Sequence, residues 1–268
     1  MMNRYSRAFR VLCASFLLLL CGSVPLVLAA MSPKQYWQKG LDYAEHRLFI
    51  DAVQHFTQAI RTNKGEISID DVAAVFNGRG LAYEGLNEYD KAIDDFSSAI
   101  SINEKEPEFF LNRGLAYLHE KEYERSQSDL GKAIDLQPKR AASYASRGDA
   151  FLLTGNSARA IEDYARALEL EPRTVSVWFP LGMAYKKAEQ YDKALQAFGK
   201  LLDAEPKHAG AAYQAAGVYA RQGKIDSACV WLDTAVENGF RDWNALKGDP
   251  DFNNLRKVDC YKRVLSGK

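Results

Sequence analysis

Four histidines, His46, His55, His119 and His208, are the side chains best suited to proton transfer or metal ligation near neutral pH. None belongs to a His-Glu-x-x-His pair, and none stands at zinc-site spacing from a cysteine. They read as solvated helix positions. The glycines form no phosphate-cradling loop, and neither a Walker sequence nor a Gly-x-Ser-x-Gly elbow occurs. Asp94, Asp95 and the neighbouring acids read as ordinary helix-surface charges. No catalytic residue, metal site or cofactor follows from these patterns, and an enzyme would need a site that they do not report.

Cysteine is the remaining reactive type. Two of the four precede residue 31, in a segment unlike the rest of the chain. Arg4, Arg7 and Arg10 form a basic leader without a twin-arginine pair, Val11 to Leu20 is apolar, and Val27-Leu28-Ala29-Ala30 offers small residues for cleavage. Residues 1–30 therefore read as a secretory signal peptide cut after Ala29 or Ala30. The stretch from Val11 to Ala30 could also just span a bilayer as an uncleaved anchor. Lipidation at Cys21 is the weaker alternative, because leucine and not a small residue precedes it. The expected location is outside the cytoplasm, periplasmic or secreted, with membrane anchoring through that segment as the alternative. Cys229 and Cys260 remain in the mature chain. An oxidising compartment would let them bridge, adding about 3–4 kcal/mol on a chain-entropy model. Two buried thiols are the other reading, and the sequence leaves both open.

Net charge is zero, with 35 residues of each sign. Loss of the leader makes the mature chain mildly acidic, at about −3. No basic surplus argues for nucleic acid.

What must position any functional residue is a repeat. Gly80, Gly114, Gly148 and Gly182 stand 34 residues apart, as do Tyr83, Tyr117, Phe151 and Tyr185. Ala92, Ala160 and Ala194 keep the same ruler with Ser126 in the remaining slot, and Pro138, Pro172 and Pro206 punctuate the ends. Aromatic, glycine and aromatic at offsets of four and three share one helix face. Alanine, aromatic or leucine, and alanine do the same on the next helix. Each helix pair leaves an apolar face that only a neighbour can cover, so the units must stack. The expected divisions are 33–66, 73–106, 107–140, 141–174, 175–208 and a looser 209–242 in which Ala216 replaces the glycine. Six extra residues before the second unit imply a longer loop or overrunning helix ends. Pro180 implies a bend or a late helix start in the fifth.

Trp178-x-x-Leu181-Gly182-x-x-Tyr185, then Ala194-x-x-x-Phe198, then Pro206, resembles the tetratricopeptide repeat. The resemblance covers 33–242. It implies an all-α, right-handed superhelical solenoid of about six helix pairs, closed by a C-terminal cap at 243–268. It also implies a concave groove lined by the first helices, and so a non-catalytic interaction scaffold for a peptide or helix of a partner protein. The positions carried over are Trp37, Leu41, Asn77, Leu81, Leu111, Leu115, Ala145, Asp149, Phe179, Met183, Tyr213 and Gly217. Lys186, Arg221, Leu118, Leu152 and Lys187 lie further along the same face. Such a groove is apolar, and it lacks the lysine–asparagine–lysine–arginine set of the carboxylate-clamp subgroup; Asn77 is the one suggestive residue. Trp37, Phe179 and Tyr213 are the expected anchors, while the leucines could equally pack helix on helix. A structural subunit that uses its convex face or ends, and an undetected enzyme or carbohydrate-binding protein, are the rival functions.

In the tail, Asn238-Gly239 can stop the last repeat helix, and Asp242 can cap a turn holding Trp243 and Leu246. Asp249-Pro250 then reads as the start of one further helix with Phe252, Leu255, Val258, Tyr261 and Leu265 inside.

Overall fold

The computed structural model describes residues 31–266. The readings made for residues 1–30 lie outside them. Among the described residues all regular structure is helical. The first unit pairs α1 (Pro33–Glu45) with α2 (Phe49–Thr62), and the second pairs α3 (Ile69–Gly85) with α4 (Tyr89–Ile102). There follow α5 (Pro107–His119) with α6 (Tyr123–Leu136), and α7 (Ala141–Leu153) with α8 (Ser157–Leu170). The fifth unit pairs α9 (Trp178–Lys187) with α10 (Tyr191–Ala204), and the sixth pairs α11 (Ala209–Arg221) with α12 (Ile225–Glu237). Each helix packs on the next along the chain, which makes a solenoid.

The repeated small residues have a steric cause. A methyl group at Gly80 would lie 2.6 Å from the Phe96 ring, and at Gly182 it would lie 2.5 Å from that of Phe198. In the sixth unit Leu232 replaces the ring, and Ala216 fits with no exposure. Ser126 fills its alanine slot because its hydroxyl donates to the Gly114 carbonyl at 2.7 Å.

Each pair turns in the same way. Arg47, Asn87, Lys121, Gly155, Glu189 and Gly223 all take positive φ. The N–H after each returns to the carbonyl of the second aromatic, from Leu48 to Tyr43 at 2.8 Å through Lys224 to Tyr219 at 2.9 Å. That is a Schellman closure, and four of its six left-handed positions do without glycine.

Both irregularities in the array have local causes. The six-residue insertion becomes a loop and a longer α3: the Asn63 carboxamide binds the Gly65 and Ile67 amides at 3.1 and 3.0 Å, and α3 starts early at Ile69. A 3-10 turn, Val175–Val177, delays α9, so Pro180 falls in its first turn, where a missing N–H breaks no helical bond.

The tail departs from expectation. Asp242 caps α13 (Trp243–Gly248) through the Ala245 amide. Beyond it there is no single helix. Pro250–Phe252 form a 3-10 turn, irregular turns follow, and only Asp259–Ser266 make α14. The chain is drawn instead onto α11, with Leu246, Phe252 and Leu255 fully buried in the terminal core beside Leu232. Cys229 on α12 and Cys260 on α14 are joined by a disulfide, their Cα atoms 5.8 Å apart.

Candidate partner-binding groove

The residues carried over onto the concave face divide by surroundings. Leu41 and Leu81, one repeat apart, are open at 41% and 43% exposure. Leu115, next in that column, is half-buried. Leu111 is buried against Phe110, Leu130 and Ala133, which makes it a core residue. Trp37 packs into the first unit's core, and its Nε1 has no hydrogen-bond partner among the described residues. The Asn77 carbonyl oxygen accepts from the Asn112 amide at 2.8 Å, so it braces α3 against α5. Asp149 is likewise committed: its carboxylate accepts from the buried Tyr164 hydroxyl at 2.6 Å. Burial holds the Asp149 carboxyl above the ordinary range, against that hydrogen bond. Phe179 leans on Phe198 and on His208, at centroid distances of 5.9 and 5.4 Å. Met183 is half-buried beside it.

At the C-terminal end the groove is already filled. Tyr213, expected as an anchor, is buried, donates to Asp249 at 2.7 Å and stacks on Phe240 at 4.4 Å. Lys186 and Arg221 both pair with the buried Asp251 carboxylate. Burial alone would raise the Asp251 carboxyl, but the two cations together hold it below the usual carboxylate range. Gly217 leaves room for this contact, since a methyl group there would meet Asp251 at 3.1 Å. The Asn254 amide donates to the Ala220 carbonyl at 2.6 Å and extends the contact. Lys186, Arg221 and Tyr213 therefore hold the molecule's own tail, and the groove stays open only from the first unit to the fifth. The sequence could not show this, because the tail breaks the period.

A second set of residues escaped the sequence reading although it obeys the period. Asp95 is buried; the view of it as a surface charge is wrong. Arg79 grips it through two hydrogen bonds of 2.7 Å. Arg113 grips Asp129 at 2.6 and 2.9 Å, and Arg147 grips Asp163 at 2.8 and 2.8 Å. Hydrogen bonding to its aspartate raises each arginine's pKa further, so all three stay charged. Arg79 also reaches back to Thr57 and Arg113 to Ser97, both at 3.0 Å, so these arginines tie one unit to the one before it. The arginines stand where Leu181 stands in the fifth unit, 34 residues apart. Reading charges on the same ruler as glycines would have found them.

His46 and His119 are exposed, as expected, but the other two histidines are not simply solvated. His208 caps α11 by accepting from the Ala211 amide at 3.0 Å. The His55 ring lies between those of Tyr36 and Tyr43, at 6.1 and 4.8 Å. Among the described residues no group of three potential metal ligands forms.

Sequence profiles of the tetratricopeptide repeat match residues 73–106, 111–173 and 185–249. A search of curated proteins finds no match. Among solved structures, YrrB, described as a tetratricopeptide repeat protein with an unusual peptide-binding site, superposes with a TM-score of 0.61 at 23% identity, covering 72% of this chain and 96% of that one. A tetratricopeptide repeat protein from Parabacteroides merdae gives a TM-score of 0.67 at 18% identity over 88% of this chain and 96% of its own. MamA gives 0.57 at 23% identity over 59% and 93%. At such identities the likeness is one of fold.

Proposed function

We propose that this chain, which belongs to the tetratricopeptide repeat family, is a non-catalytic scaffold that holds a segment of a partner protein in the open part of its concave groove. The observation that carries the reading is the exposed column Leu41 and Leu81, continued by half-buried Leu115 on successive first helices. An apolar row of this kind suits an extended or helical guest with apolar side chains at matching intervals. YrrB, of similar fold, is described by its peptide-binding site, which supports the same use of the architecture.

The scaffold is placed outside the cytoplasm. The leader reading and the Cys229–Cys260 bridge both support an oxidising compartment. Among the described residues no helix is long and apolar enough to cross a membrane.

A photo-crosslinking side chain placed at Leu81 or Met183 in cells tests the groove, with Lys132 on α6 as the outward control. Adducts to the same partner from both groove positions, lost on Leu41→Asp, are expected. Adducts from Lys132 alone would replace this reading with that of a structural subunit working through its outer face.

A further inference from the structure

The arginine ladder stops after the fourth unit, and what replaces it in the fifth leaves a cavity. In the three laddered units the guanidinium lies 5.6–6.0 Å from the centroids of two rings on its own helix: Phe76 and Tyr83, Phe110 and Tyr117, Tyr144 and Phe151. An aspartate from the following helix closes the slot. The fifth unit keeps both rings, as Trp178 and Tyr185. The register puts Leu181 in place of the arginine and Ala197 in place of the aspartate. Both replacements are short and buried. They form the floor of a depression of about 350 Å³, walled by the two rings and rimmed by Lys193 and Lys200. None of the concave-face positions lines it.

The rim decides what chemistry fits. Lys193 lies over the Tyr185 ring at 5.6 Å. Among the described residues the lysines in ion pairs are Lys91, Lys186 and Lys262, so neither rim lysine is neutralised. A guest guanidinium would meet two cations and no carboxylate. A wholly apolar guest would leave both cations unmatched. We propose that this slot is a second binding site, separate from the concave groove, for an acidic peptide segment that carries an aromatic residue. The guest ring stacks between Trp178 and Tyr185 in the space a guanidinium fills elsewhere, and carboxylates on either side of it meet Lys193 and Lys200. The volume accepts one aromatic side chain. The molecule's own tail is held in a related way, with the Asp251 carboxylate on Lys186 and Arg221 and the adjoining Phe252 ring buried.

Acetyl-Glu-Phe-Glu-amide, titrated into the purified protein, is the probe. The indole N–H signal of Trp178, assigned by its loss in Trp178→Phe, is the readout. A saturable shift with a Kd of about 1 mM is expected for so small a ligand. Acetyl-Lys-Phe-Lys-amide should bind at least tenfold more weakly. The double variant Leu181→Arg with Ala197→Asp installs the pair found in units two to four, so it should melt like the parent while losing the response. A variant that melts like the parent and binds unchanged overturns the proposal, as does equal binding of the two peptides. If that variant does not fold, Lys193→Glu with Lys200→Glu, both at exposed positions, takes its place. It should weaken the acidic peptide at least tenfold, and unchanged binding overturns the proposal.

Discussion

At the scale of the residue, the buried Arg–Asp pairs are the most consequential groups that sequence patterning passed over. Asp129 is buried, and among the described residues Arg113 is the one cation paired with it. Arg113→Ala should therefore destabilise by about 3 kcal/mol, since it leaves an uncompensated buried carboxylate. Replacing both, as Arg113→Leu with Asp129→Ala, copies what the fifth unit does with Leu181 and Ala197 and should recover most of the loss. Urea unfolding of the single and double variants closes the cycle; additive losses would mean that the pair is not coupled. The left-handed turn positions give a second measurement. Lys121 has φ 62° and Gly155 has φ 83°, each closing the same turn in its own unit. Lys121→Gly should be neutral or stabilising, because it relieves the left-handed penalty while freeing the unfolded chain. Gly155→Ala should cost about 1 kcal/mol, by the same thermal or urea assay.

At the scale of the element, the tail is a cap and a plug at once. Phe252, Leu255 and Leu246 close the apolar end of the sixth unit, while Asp249 and Asp251 reach into the groove. The bridge from Cys229 to Cys260 encloses a 31-residue separation. Cys229→Ser with Cys260→Ser should lower stability by about 2–4 kcal/mol, with earliest loss of hydrogen-exchange protection in α13 and α14. Equal exchange across all six units would show that the bridge does not act locally. The tail's ion pairs also have a pH signature. Asp251 is held below its ordinary pKa, so its contribution is complete above the unfolded-state value of about 4 and is lost as pH falls through the lower folded-state value. The stability gap between the parent and Asp251→Asn should be widest at neutral pH and should shrink below about pH 4. A gap that widened in acid would contradict the assignment.

At the scale of the whole molecule, stability is a chain of neighbour contacts, because each unit touches mainly the next. The arginines strengthen the joints that they span, from the first unit to the second and from the second to the third. The fifth unit lacks that device: it packs Val177, Leu181 and Ala184 against Phe151 and Tyr164 of the fourth, and its polar ties are single hydrogen bonds, among them those from Lys187 to the Leu152 carbonyl at 3.4 Å and from Lys186 to Gln214 at 2.6 Å. The groove is correspondingly polarised. Its open leucines lie toward the N-terminal end, and Lys186 and Arg221 are spent on the tail at the other end. A partner segment is therefore expected to lie against units one to five, and a charge-reversing Arg221→Glu should disturb tail stability more than partner capture.

The amino-acid sequence by itself determined the helix pairs, their order and their stacking. Those follow from glycine, aromatic and alanine positions that recur every 34 residues, and each acts on a neighbour that the same period places. The Arg–Asp pairs were legible by the same ruler, had charges been read on it. Tertiary structure alone decided which groove residues stay open. Asp149, Tyr213, Lys186 and Arg221 occupy groove positions by register, yet Tyr164 and the tail claim them. The reason is physical: a repeat encodes contacts with itself, whereas Asp249, Asp251 and Phe252 belong to no repeat. Their resting place depends on non-local burial and ion pairing that no spacing announces.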